Sequence, residues 1–121
     1  MNQPLHQIRL GRDFLAALAR IRAAEENPLL GLPTDSAETL VRRLILPLLE
    51  NSGLPRLAIL HYSWFLRELA RLWRSHPGPD LAFHLELAVR KWTSYGLEPN
   101  TLQLLVCQLL NRLESLPRPG D

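Results

Sequence analysis

The chain has one cysteine, Cys107, and one lysine, Lys91. A lone thiol excludes an intramolecular disulfide and makes a reducing compartment the simplest setting. Scarce lysine puts the positive charge on arginine, a bias that a GC-rich genome produces as readily as a need for bidentate anion binding. Long hydrophobic runs are missing too. The longest apolar stretch, Leu44 to Leu49, is far short of a membrane span, so no membrane partner is expected. Met1 to Leu10 includes His6 and Arg9 and has no signal-peptide apolar region, which makes a cytoplasmic location the default expectation. No segment alternates as a strand or carries a hairpin signal.

The sequence also lacks the spacings on which common site chemistries rest. His6, His61, His76 and His84 are scattered, and Cys107 lies in a different block, so no metal is expected. His84 and Glu86 are two apart and diverge on a helix, as do His61 and Ser63. The expectation for His61 and His84 is a place at the margin of an apolar face, with one ring nitrogen hydrogen-bonded. No G-x-S-x-G elbow is present, and Cys107 sits among Leu105, Val106, Leu109 and Leu110, where burial makes a thiol inert. No catalytic residue and no cofactor are therefore assigned, and Cys107 is expected to be buried.

Leucine, about a quarter of the chain, is what the sequence has in abundance. It falls in five blocks with helical spacing, each ended by Pro, Gly or a cap-like residue. The hydrophobic fraction of 46% and charged fraction of 21% fit one folded domain rather than a disordered chain. The pattern predicts an all-α fold, a compact bundle of about five amphipathic helices with short loops, over residues 1–121. The expected helices cover 4–26, 35–51, 55–75, 80–95 and 100–116, with 117–121 as a polar tail.

Local signals set these boundaries. Gly11 weakens the start of the first helix, so Asp13 is the alternative cap of a shorter one, and Asn27-Pro28 ends it. Asp35 and Glu38 have the spacing of a capping box for the second helix. Its expected buried stripe is Ala37, Leu40, Val41, Leu44 and Leu48, with a kink or break at Pro47. The third helix buries Ala58, Tyr62, Phe65, Leu69 and Leu72. The fourth is capped by Asp80, buries Leu81, Leu85, Ala88, Trp92 and Tyr95, and stops at Gly96. The fifth buries Leu102, Leu105, Val106, Leu109, Leu113 and Leu116.

Glu38 to Gly53 resembles the helix before the core sheet of some restriction-type nucleases, and Tyr95 to Thr101 resembles the helix-to-helix turn of a pentatricopeptide repeat. The first is followed by no acidic strand or D…(D/E)-x-K arrangement, and the second has no further copy, so neither brings an activity.

Two surfaces are left. Leu104, Cys107 and Leu110 form a second apolar strip beside the main face of the fifth helix. This surplus predicts a non-enzymatic interaction module, an adaptor or assembly subunit, that meets a protein partner or a second copy through the fifth or third helix. A central position in the bundle would instead bury that strip. On the third helix, Trp64, Arg67, Arg71 and Arg74 step by three and four residues along one line, well away from the buried seam. Such a strip holds phosphates by charge and a ring by stacking, which makes nucleic acid the alternative partner. Its other reading is an ordinary solvated helix face. A small-molecule binder or enzyme with an inter-helix cleft is the third alternative. The net charge of +2 permits an acidic partner without demanding one.

Overall fold

The computed structural model describes residues 8–117, and among these there are five helices and no strand. They are α1 (Arg12–Ala23), α2 (Thr34–Glu50), α3 (Arg56–Ser75), α4 (Gly78–Ser94) and α5 (Pro99–Glu114). The fold is an all-α bundle. No helix among the described residues is long and apolar enough to cross a membrane. The segment 4–7, expected to begin the first helix, and most of the expected tail lie outside the described residues.

Two helix pairs enclose a central helix. α2 packs along α3, α1 packs along α4, and α5 touches all four. The backbone of α1 does not approach that of α2 or α3, so α5 is what joins the two pairs, with help from the α3–α4 contact. The main face of α5 explains this position. Leu102, Val106 and Leu109 are fully buried, and Leu105, Leu110 and Leu113 nearly so. An apolar arc that wide cannot be covered by one neighbour.

One buried polar residue fixes the register of α1 on α5. Gln103 Oε1 accepts from the Gly11 N–H at 2.7 Å, and its Nε2 donates to the Arg9 carbonyl at 3.3 Å. Further along, Arg20 donates to Asn111 Oδ1 at 2.9 Å and pairs with Glu114, so the two helices run in the same direction. This buried amide is satisfied at both ends, as burial requires.

α1 is shorter than expected. It starts after Gly11 rather than at residue 4 or under an Asp13 cap, and it ends at Ala23, before Asn27. Glu25 and Glu26 would have placed negative charge at a helix C-terminus, where the dipole disfavours it. Asn27 serves another helix. Its Nδ2 donates to the carbonyls of Trp73 and His76 at 2.7 and 2.8 Å, and the Gly31 N–H donates to the Arg74 carbonyl at 3.0 Å. The loop after α1 thus satisfies the carbonyls left open at the end of α3, and Leu29 anchors it in the core.

The expected side-chain caps of α2 and α4 are not formed. Pro33 and Pro77 occupy the cap positions, and Asp35 and Asp80 lie inside the first turns, where their charge still favours the helix. α5 has a side-chain cap that was not expected, Glu98, whose carboxylate accepts from the Thr101 N–H at 2.9 Å. The buried line of α2 is Ala37, Val41, Ile45 and Leu49, turned from the expected one, with Leu40, Leu44 and Leu48 only partly covered.

α2 is not interrupted at Pro47. Pro47 lies in the last turn, and the Asn51 N–H still donates to its carbonyl at 3.1 Å. Both Pro47 and Arg43 are exposed, so water can reach the Arg43 carbonyl that loses its donor. α4 ends as expected, with Gly96 at φ 102°, a backbone conformation that side chains disfavour. Tyr95, expected in the core, is exposed, while Ala82 and Val89 are buried in addition to Leu81, Leu85 and Ala88.

Candidate docking surface

The structure separates the strip expected on α5. Leu104 is 55% exposed, Leu110 is 6% exposed and belongs to the core, and Cys107 is half-buried between them. Leu110 is therefore not available to an outside partner, because α5 lies among the four other helices. Cys107 is not fully buried as expected. Burial, helped by the Asp13 charge and opposed by Arg20, raises its thiol above the ordinary value. The thiolate is disfavoured, which suits an unreactive side chain.

α3 behaves differently. Its inward face carries Tyr62, Phe65, Leu66, Leu69, Leu72 and Trp73, all buried. The outward face carries Trp64, Arg67, Arg71 and Arg74 on one line, as the spacing predicts. The structure extends that line upstream. Leu57 is 65% exposed, Leu60 47% and Trp64 46%. Leu57, Leu60, Trp64, Arg67, Arg71 and Arg74 follow one another at three, four, three, four and three residues. That is the a/d spacing of a heptad seam, here on the side facing away from the core. The expected faces of this helix include neither Leu57 nor Leu60. Their spacing from Trp64 was the available signal.

The basic half of the line borders a groove of about 280 Å³ formed by Thr34 and Glu38 of α2 with Trp64, Arg67, Glu68, Arg71 and Arg74 of α3. Arg67 lies 3.8 Å from Glu38, and Arg71 donates to Glu68 at 3.0 Å. Both guanidinium groups remain mostly exposed, so most of their five donors face outward. Arg74 is partly buried, and its Nε has no partner.

Glu68 ties this face to α4. It also receives hydrogen bonds from Lys91 and from Trp92 Nε1, and Lys91 lies 5.7 Å from the centre of the Trp92 ring. Burial by itself would raise the Glu68 carboxyl. The hydrogen bonds from Lys91 and Trp92 and the charges of Lys91 and Arg71 outweigh it, so the net shift is downward.

The histidines do not converge with these groups. His61 packs against Trp64 with ring centres 5.4 Å apart, and His76 stacks on His84 at 4.0 Å. Both His61 and His84 are half-buried. Burial, the His84 ring and Arg71 lower His76, against a raising effect of Asp80. Among the described residues no group of three or more His, Cys, Asp or Glu is arranged to hold a metal ion. A second depression, of about 460 Å³, is lined by Leu32, Asp35, Ser36, Thr39, Leu40 and Arg43, with no histidine.

No known protein family, curated protein or solved structure matches this chain.

The arrangement on α3 is chemically divided along its length. It offers an apolar half of two leucines and an indole, and a cationic half of three guanidinium groups.

Proposed function

We propose that this chain is a non-enzymatic protein–protein interaction module, an adaptor or assembly subunit, whose working surface is the outer line of α3. The observation that carries this reading is the run of exposed Leu57, Leu60 and Trp64 continuing directly into Arg67, Arg71 and Arg74. Covering the exposed parts of those three apolar side chains contributes on the order of 3 kcal/mol, since full burial of one such side chain is worth roughly 1.5–3 kcal/mol. Helices dock on one another through such 3–4 spaced lines. A cytoplasmic setting fits the lone thiol.

A photo-cross-linking residue at position 60, in cells of the source organism, tests the reading. It should yield a discrete protein adduct that disappears when Trp64→Asp is added. The same probe at Ala19, exposed on α1, should not yield that adduct. Identical adducts from both positions would rule out α3 as the working face.

The second reading is nucleic-acid binding by the three arginines, with Trp64 as a stacking platform. Their common groove favours it. Glu38 and Glu68 weigh against it, since each places a carboxylate against one of the guanidinium groups. A single-stranded oligonucleotide titrated at low salt decides. Binding that falls steeply with added salt and is lost in the triple Arg67→Gln/Arg71→Gln/Arg74→Gln variant would move this reading to first place.

A further inference from the structure

The exposed line of α3 has two chemically different halves, and this restricts what can cover it. A second copy of the chain is the first occupant to consider. In a parallel pairing of α3 with itself, Arg67, Arg71 and Arg74 would each meet their own equivalents. In an antiparallel pairing about the middle of the line, Leu57 would face Arg74, Leu60 would face Arg71 and Trp64 would face Arg67. The first brings like charges together, and the second removes guanidinium groups from water against apolar side chains. In a pairing that covers the whole line, neither direction makes it complementary to itself.

We infer that α3 is the receptor for a helix of a different protein, one apolar where it meets Leu57, Leu60 and Trp64 and carboxylate-bearing where it meets Arg67, Arg71 and Arg74. The inference rests on the reading of α3 as a docking face and names the chemistry of its partner. From Leu57 to Arg74 the line spans about 26 Å at 1.5 Å per residue, so the partner segment needs about five turns. Arg67 and Arg71 have donors left for carboxylates, because each has only one Glu contact and stays mostly exposed. Arg74 lines the same groove as Arg67, Arg71 and Thr34, although its own Nε is enclosed and without a partner. An acidic segment would also be excluded from the apolar half, which fixes the direction in which it lies.

Synthetic helical peptides of about 20 residues test this, with Ala and Gln at the outward positions. One carries Leu at three successive seam positions and Glu at the next three. A second has Lys in place of Glu. Titration calorimetry against the full chain should show the Leu–Glu peptide binding at least tenfold tighter than the Leu–Lys peptide. In the Arg67→Glu/Arg71→Glu variant the preference should invert. Equal binding of the two peptides, or an unchanged preference in that variant, overturns the partner chemistry. If equal binding is abolished for both by Leu57→Asp/Leu60→Asp, the docking face itself stands. No binding of either peptide, or binding indifferent to that double change, overturns the docking face as well. A dimer of the free protein that Leu57→Asp/Leu60→Asp dissolves overturns the inference in favour of a second copy. Melting curves of the variants confirm that each is folded.

Discussion

α3 and α5 both carry apolar residues over wide arcs, yet they present opposite surfaces. α5 has neighbours on most sides, so its second strip is largely absorbed and Leu104 alone stays well exposed in it. α3 has α2 on one side, α4 on the other and α5 at its inner face, with a line of side chains left facing out. The difference lies in topology rather than composition. An apolar surplus identifies a surface only once it is known how many neighbours a helix has.

The largest effect should come from the centre. Leu109→Ala removes a fully buried side chain from α5 and should cost about 2–5 kcal/mol in urea denaturation. Leu60→Ala, the matching change on the outward line of α3, should stay within about 0.5 kcal/mol of the parent. Comparable losses at both positions would erase the distinction between a structural helix and a presenting one.

The α1–α4 contact should be nearly as sensitive, for a backbone reason. A Cβ on Gly78 would lie 2.2 Å from the Ile21 carbonyl oxygen, close enough that one of the two helices must move. Gly78→Ala should cost about 1–3 kcal/mol, the scale of overpacking a close contact. Any stabilisation by the added helix propensity would show that the contact is looser than described.

Glu68 lies between the two kinds of surface, bonded to α4 on one side and to the α3 line on the other. Glu68→Gln should cost about 1–2 kcal/mol, because Lys91 loses its charge partner. The carboxyl is shifted downward in the folded state, so the unfolded chain binds more protons as pH falls. Glu68 therefore contributes stability above the ordinary carboxylate range, and that contribution is lost as pH falls through its lowered value. A stability profile recorded from neutral to acidic pH should be flatter for Glu68→Gln than for the parent. Parallel profiles would remove Glu68 from the set of groups that matter.

Much of the architecture was legible in local spacing. The buried faces of α3 and α5 and the stop at Gly96 follow from period and turn chemistry alone. What was not legible depends on partners distant in sequence. Asn27 reads as the end of its own helix, but it binds the carbonyls of α3, 46 and 49 residues away. Gln103 reads as one polar residue in an apolar block, but it holds Gly11 across 92 residues. Gly78 stands between Pro77 and Pro79 at the start of α4, and nothing local shows that it also marks a close approach to α1. For the candidate surface, the arginine line was visible as a spacing. Its apolar continuation through Leu57 and Leu60 has the same spacing, but that these leucines stay exposed was not legible, because exposure depends on where the neighbouring helices stop.

The smallest effect should come from the arginines. Arg67 and Arg71 are mostly exposed and make ion pairs with one Glu each, a kind of contact worth little once solvent screening and side-chain ordering are counted. Arg74 is more covered, but its Nε makes no hydrogen bond that could be lost. Changing all three to Gln should therefore lower stability by about 1 kcal/mol or less and shift the melting temperature by less than about 4 °C. The same triple variant should lose its preference for an acidic peptide over a basic one. Near-constant stability with lost discrimination would separate presentation from folding within one helix. A fall in melting temperature as large as that of Leu109→Ala would instead mean that the arginines hold α2, α3 and α4 together, and the contrast between α3 and α5 would then be one of degree.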